Sequence, residues 1–223
     1  GGCVRDLLLT RRPKDFDVAT SAHPEEVRAL FRNSRIIGRR FRLVHVMFHG
    51  RKVIEVATFR RNPGASFDGQ LIRSDNAFGT ADEDAERRDF TINALFYDAA
   101  TRSVIDYVGG LGDLERRMIR SIGDPRIRFV EDPVRMLRAA VLAARLGFDI
   151  DPLVVEAIAE HRALIMKASP SRLIEEYFKI LRSGYAEAAF RALNRVRLLE
   201  LITHELASPP DALWDALARL DRY

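Results

Sequence analysis

Cysteine is nearly missing: Cys3 stands alone in 223 residues, so no internal disulfide can form, a usage that fits a reducing cytoplasm. No apolar run approaches the roughly 20 residues that span a bilayer, and no signal peptide is visible. A membrane partner is therefore not expected, and a cytoplasmic location is. Nothing matches Gly-x4-Gly-Lys-Ser/Thr, which excludes a P-loop. None of the five histidines is spaced as a metal pair or a general base, and Cys3 has no partner base in sequence. His45, inside an apolar stretch, reads as a packed histidine. There is no internal repeat and no low-complexity tract. An initiating methionine is also missing. The chain opens on Gly1-Gly2, a pair that usually follows a strand, so the natural protein is expected to extend upstream with that strand.

What remains is an ordinary globular composition, 47% hydrophobic and 30% charged. Its length suits one large domain or two small ones. Net charge is only +4, from 36 basic and 32 acidic residues, yet 32 of the 36 cations are arginine. Arginine stays charged and grips phosphate in a bidentate way. A GC-rich genome produces the same bias, so the charge says only that polyanions suit the surface.

The first third reads as mixed α and β. Residues 4–9 look helical, and Phe16-Asp17-Val18-Ala19 alternates like a short strand. Thr20-Ser21-Ala22-His23-Pro24-Glu25-Glu26 looks like a capped helix start, with the helix running to about Phe31. Residues 41–48 and 52–59 read as two strands joined at His49-Gly50-Arg51. Residues 61–80 carry no period and form a loop. A helical stretch is expected from Asp82, then a short strand over 103–108 that ends at Gly109-Gly110. After Glu131 the chain reads as all helix, with candidates at 131–147, 151–161, 170–183, 185–195 and 211–221. The pattern is α+β: a head over 1–122 with a small mixed or antiparallel sheet, then a helical region over 123–223.

Asp15 and Asp17 sit two apart at the start of a predicted strand, so their side chains share one face. Two carboxylates so placed repel unless a cation joins them. A hard divalent ion with oxygen ligands suits them, and Mg²⁺ usually completes its shell with substrate phosphate. Glycines let backbone N–H groups approach a phosphate closely, which makes Gly1 and Gly2 candidates, and Arg5 would add a charged donor. Glu55 lies within Val-Ile-Glu-Val-Ala-Thr-Phe, where a lone acid is costly unless paired or on a metal. It could equally face outward, since Val53, Glu55 and Ala57 share one side. Arg11, Arg12, Lys14, Arg39 and Arg40 could form a basic rim.

These residues carry a resemblance. Gly1-Gly2-Cys3-Val4-Arg5-Asp6-Leu7-Leu8-Leu9 with Asp15-x-Asp17 resembles the first motif of class II tRNA nucleotidyltransferases and bacterial poly(A) polymerases. Arg87-Arg88-Asp89-Phe90-Thr91-Ile92-Asn93-Ala94 resembles the second. Asp106-Tyr107-Val108-Gly109-Gly110-Leu111-x-Asp113-Leu114 is similar to the third, and Glu131-Asp132-Pro133-Val134-Arg135-Met136-Leu137-Arg138-Ala139 to the fourth. Ser171-Arg172-Leu173-Ile174-Glu175-Glu176 is similar to the fifth. The motifs stand in family order across nearly the whole chain. Ile36-Ile37-Gly38-Arg39-Arg40-Phe41-Arg42-Leu43-Val44-His45-Val46 resembles the signature of the poly(A) polymerase branch. Two departures stand out: Val141 where the family commonly has arginine, and a loop after Arg60 that looks short. The family's C-terminal RNA-binding domains look mostly absent.

The resemblance implies a polymerase β-like nucleotidyltransferase head and a template-independent adenylyltransferase that adds AMP from ATP to RNA 3′ ends. CCA addition to tRNA, and an inactive RNA-binding paralogue, are the alternatives. Two Mg²⁺ ions on Asp15 and Asp17 would serve the reaction, with Glu55 or Asp89 as the third acid. Arg88, Asp89 and Asn93 fall in one predicted helical stretch, Asp89 and Asn93 on one face. Asp132, Arg135 and Arg138, at i, i+3 and i+6, would form a protein template for the incoming base. Arg172 and Glu176 would brace that helix. Asp106 and Gly109-Gly110 read as head–neck packing. The chain is expected to act as a monomer.

Overall fold

A computed structural model describes residues 1–38, 42–49, 52–62 and 77–223. Arg39, Arg40 and Phe41, the turn residues Gly50 and Arg51, and most of the expected loop over 61–80 lie outside the described residues. The fold is α+β, and the chain divides into two compact units. The first holds Gly1–Arg88 and Ile92–Gly110; the second holds Asp89–Thr91 and Leu111–Tyr223.

In the first unit, helix α1 (Gly2–Leu8) follows the opening glycine and leads to strand β1 (Asp17–Thr20). Helix α2 (Pro24–Leu30) starts at its proline, with the Glu26 carboxylate accepting the His23 N–H at 2.6 Å. Proline's fixed φ and this reciprocal cap set the start. Strands β2 (Ser34–Ile37), β3 (Leu43–Met47) and β4 (Val53–Thr58) complete a sheet of order β1-β4-β3-β2. β1 runs parallel to β4; the other pairs are antiparallel. One face is apolar: Val44, Val46 and Val56 pack with Val27 of α2. Each such burial contributes about 1.5–3 kcal/mol. Because side chains alternate, the opposite face receives Asp17, Glu55, His45 and Arg35, which are in register as one row across the four strands.

Helix α3 (Ala81–Glu86) is capped by Thr80, whose N–H donates to Glu83 at 2.8 Å. It ends at Glu86 and does not run through Asn93 as the sequence pattern predicts. The Arg88 N–H turns back to the Ala85 carbonyl, and Thr91–Asn93 form a separate 3₁₀ turn. Asp89 and Asn93 therefore share no helix face and fall in different units. Strands β5 (Phe96–Asp98) and β6 (Ser103–Ile105) make an antiparallel pair. After it, Asp106 accepts the N–H groups of Val108 and Gly110, closing a turn that Gly109 enters at φ 81°. The role of Asp106 within its own unit is thus local turn closure.

The second unit runs through α4 (Gly110–Glu115), β7 (Met118–Ile119), α5 (Pro125–Glu131) and α6 (Val134–Leu146). It continues through β8 (Asp149–Ile150), α7 (Pro152–His161), α8 (Pro170–Leu181), α9 (Ala186–Arg195), α10 (Leu199–Ile202) and α11 (Asp211–Leu220). It is not all helix after Glu131, since β8 pairs parallel with β7. The helix expected over 131–147 is two helices. Pro133 forces the residue before it out of helical geometry, and Asp132 sits at φ −149°, ψ 95°. Asp124 and Asp151 cap α5 and α7, each beside a proline at the first helical position. Gly147, at φ 68°, ends α6. Phe129, Met136, Leu137, Leu146, Ile158 and Leu193 form the dry interior of this unit.

Candidate active site

The acid row is built by register. Asp17 stands opposite Glu55 on parallel strands, and Asp15 precedes Asp17 by two residues. Burial pushes the Asp17 carboxyl above the ordinary range, and the neighbouring charges of Asp15 and Glu55 push it the same way. Like charges so crowded are what a divalent cation relieves. The oxygen-only donor set suits Mg²⁺, which takes few protein ligands and completes its shell from water and phosphate. Among the described residues, no three acid, histidine or cysteine side chains form a ready-made metal cage. Glu55 is half-exposed, and His45 Nε2 lies 3.1 Å from its Oε1. His45 is therefore a polar partner of the acid row, not an apolar filler.

Beside the row, the second motif organises around an acid that sequence reasoning passed over. Asp84 is 4% exposed, and its carboxylate accepts from Arg87 Nε at 3.0 Å, Arg88 Nη2 at 2.9 Å and the Arg60 amide at 3.2 Å. Burial alone would raise this carboxyl, but Arg88 and Arg87 outweigh it and hold it below the ordinary range. Arg88 also donates to the Asn93 carbonyl at 3.1 Å and lies over the Phe96 ring. A Cβ on Gly1 would come within 3.1 Å of Arg88 Nη1, so the first glycine leaves room for this guanidinium. Arg5 is buried and donates to Asp6 at 2.6 Å and to the Asn93 side-chain oxygen. The open phosphate donor expected at Arg5 is instead a buried strut between the first and second motifs. Around Gly2 a Cβ would find ordinary space beside Arg5.

The second unit brings Asp89 and Arg138 together: Arg138 Nη2 lies 2.6 Å from Asp89 Oδ2, while Asp89 Oδ1 accepts the Phe90 N–H. Arg135 donates to Glu131 Oε2 at 2.8 Å and to the Arg128 carbonyl at 3.1 Å. Asp132 lies before α6, not on it, and receives a two-pronged pair from Arg172 at 2.8 and 3.0 Å. The three fourth-motif residues thus do not line one helix side. Arg172 braces Asp132 directly, whereas Glu176 accepts from Lys179 at 2.9 Å. Thr91 donates to the buried Asp113 at 2.7 Å, a link across 22 positions that no local pattern announces. Val141 is half-buried on α6.

A four-stranded mixed sheet with an acid row on its open face, joined to a helical unit, is the architecture of a nucleotidyltransferase head and its helical extension. The model for the poly A polymerase head domain matches residues 1–120. A second, described as "Probable RNA and SrmB- binding site of polymerase A", matches residues 147–208, so more of that region is present than the sequence suggested. The chain belongs to the poly(A) polymerase head-domain family. It is 50% identical over 210 residues to poly(A) polymerase I of Escherichia coli O6:H1, covering 90% of this chain and 45% of that protein. It is 39% identical over 202 residues to the CCA-adding enzyme of Lactobacillus helveticus, covering 90% and 49%. The crystal structure of the Bacillus stearothermophilus CCA-adding enzyme in complex with CTP superimposes with a TM-score of 0.79 at 33% identity, covering 98% of this chain and 52% of that one. The chain spans about half the length of the relatives it matches. No helix among the described residues is long and apolar enough to cross a membrane.

Proposed function

We propose that the chain carries the nucleotidyl-transfer machinery of a template-independent polynucleotide adenylyltransferase, which adds AMP from ATP to RNA 3′ ends. The observation that carries this reading is the register of Asp17 with Glu55, two residues after Asp15, on the open face of the sheet. The 50% identity to poly(A) polymerase I supports adenylate as the added unit. Residues 1–122 are assigned to the head and 123–223 to nucleotide and RNA binding. A cytoplasmic monomer acting on RNA is the setting.

Asp15 and Asp17 would hold two Mg²⁺ ions, with Glu55 completing the acid set. When bound, such ions lower the pKa of an attacking 3′-hydroxyl and neutralise charge on departing pyrophosphate. The protein groups position and screen. Arg88, held by Asp84 and Asn93, presents a fixed cation beside Gly1. Asp89, tied to Arg138, orders the second-motif turn, and this leaves Glu55 as the stronger third acid. Asp132 and Arg135 offer an acceptor and a donor for a base edge, each pre-set by Arg172 and Glu131.

The 39% identity to a CCA-adding enzyme favours CCA addition as the second reading. Incubation with Mg²⁺, ATP or CTP, and either an RNA oligomer or a tRNA lacking its 3′ end separates them. A tails on both RNAs are expected; C incorporation confined to tRNA overturns the reading in favour of CCA addition, and no incorporation favours an inactive RNA-binding protein.

A further inference from the structure

The row on the open face of the sheet does not end at its acids. Asp17 of β1, Glu55 of β4, His45 of β3 and Arg35 of β2 stand opposite one another in turn, so the row passes from carboxylate through imidazole to guanidinium. Arg35 is exposed and meets no carboxylate within ion-pair distance among the described residues. Arg42, just before β3, is by contrast spent on Glu25 at 2.6 Å. His45 stands between the two ends, with Nε2 3.1 Å from Glu55 Oε1, and holds that carboxylate on the acid side of the row. On β3 and β4 the flanking positions of this face are apolar: Met47 and Val53 on one side, Leu43 and Ala57 on the other. Val53 is 49% exposed, an apolar side chain left to solvent beside the acids. Two strand spacings separate Glu55 from Arg35, about 10 Å at roughly 4.8 Å each.

We propose that Arg35 anchors the acceptor RNA by holding a backbone phosphate a few nucleotides before the 3′-hydroxyl that reaches the acids. The assignment rests on the adenylyl-transfer reading, which supplies the nucleophile. A stacked strand carries one phosphate per roughly 3.4 Å, so Arg35 meets about the third phosphate from the 3′ end. The direction of approach follows from the chemistry. Arg88, beside Gly1, acts at the opposite end of the row: the Asp17 carboxyl, raised by burial, is drawn back in part by the Arg88 charge. The triphosphate belongs at that end. In-line displacement sets the attacking hydroxyl and the leaving pyrophosphate on opposite sides of the phosphorus, so the RNA enters from the β2 side. There an exposed guanidinium offers phosphate its paired N–H donors, and the apolar flanks bring no charge that competes for them.

The test is a cycle between Arg35→Ala and single neutral linkages in the RNA. Oligo(A) probes labelled at the 5′ end each carry one methylphosphonate, at successive linkages from the 3′ end, and their affinity for the chain is read by fluorescence anisotropy with Mg²⁺. In the parent, the neutral linkage should weaken binding by about fivefold to tenfold at the third position or its immediate neighbours. Arg35→Ala should weaken the unmodified RNA by the same factor and be indifferent to that one linkage, while its circular-dichroism melt stays in place. Where the parent adds adenylate, the variant should raise KM for RNA and leave KM for ATP in place. Coupling at no linkage, or equal loss at every linkage, reduces Arg35 to bulk charge and overturns the proposal. A raised KM for ATP with unchanged RNA affinity overturns it too, and assigns Arg35 to the triphosphate. A parent that adds no nucleotide refutes adenylyl transfer, and the binding cycle still decides whether Arg35 holds RNA.

Discussion

The acid row of the sheet and the arginine cluster of the helical unit treat charge in opposite ways. Along the row, Asp15, Asp17 and Glu55 set like charges side by side, and the Asp17 carboxyl is pushed up by burial and by its neighbours. In the helical unit, Asp89 meets Arg138, Asp132 meets Arg172, and Glu131 serves both Arg128 and Arg135. The first arrangement is unfavourable until a cation arrives; the second is complete by itself. Binding a metal requires charge held in reserve, whereas positioning a base or a ribose requires side chains already fixed. Removing an acid from the row should therefore damage chemistry and spare the fold, and breaking a pair in the cluster should do the reverse first.

Asp17→Ala offers the largest contrast. Incorporation should fall by roughly a thousandfold or more, a loss of about 4 kcal/mol of transition-state stabilisation. Thermal stability should hold or rise slightly without Mg²⁺, because a repelling carboxylate is gone. The sign follows from the raised pKa: the charged form is the disfavoured one in the folded state, so the penalty builds as pH rises from the ordinary carboxylate range to the raised value and is constant above it. Mg²⁺ should raise the melting temperature of the parent and not of the variant. Retained activity would refute the assignment of the row.

Arg138→Ala attacks the other arrangement. It leaves Asp89, whose side chain is 8% exposed, without its guanidinium. Removing one partner of a buried ion pair costs about 3–5 kcal/mol; Arg138 is half-exposed and Asp89 keeps the Phe90 N–H and the nearby Arg128 charge, which reduces this to about 2–3 kcal/mol. For a chain of this size the melting temperature should drop by about 4–10 °C. An unchanged melt would mean that the pair carries no stability.

Asp84→Asn is the next step down. It keeps the shape and removes the charge that binds Arg87 and Arg88, costing about 2 kcal/mol at neutral pH. Because the folded carboxyl is held below the ordinary range, the stability it contributes is present above that range and lost as pH falls through it. Parent and variant should therefore converge in acid-denaturation curves below about pH 4. A constant gap down to acid pH would place the stabilisation elsewhere.

The strand that opens at Asp17 was legible from its alternation, and helix starts at Pro24, Pro152 and Pro170 were legible because proline fixes φ. Pro133 carried an equally plain signal, the break before α6, which the apolar period through 131–147 masked. In β2 the adjacent Ile36 and Ile37 break the alternation that marks a strand. Asp84 went unread among the acids at the start of α3, although Arg87 and Arg88 at i+3 and i+4 already pointed to it. The Thr91–Asp113 link joins distant positions, so only the folded chain reveals it; a brace from Arg172 was expected from the fifth motif, but its partner Asp132 was not.

Arg172→Ala should give the smallest effect on stability and the most informative one on choice of nucleotide. The pair is well aligned but its arginine is 51% exposed, so its loss costs about 0.5–1 kcal/mol and about 1–4 °C. Asp132 has no helix to hold it, since Pro133 leaves it extended and, among the described residues, the Val134 amide and Arg172 fix its carboxylate. Freed from Arg172, that carboxylate can rotate, and an acceptor that wanders no longer discriminates one base edge from another. The ratio of ATP to CTP incorporation should fall by about tenfold, an error of about 1.4 kcal/mol in differential binding. Arg172→Lys, which keeps the charge but loses the two-pronged grip, should recover stability more fully than selectivity. Equal recovery of both would reduce Arg172 to a surface ion pair and leave base choice to Arg135.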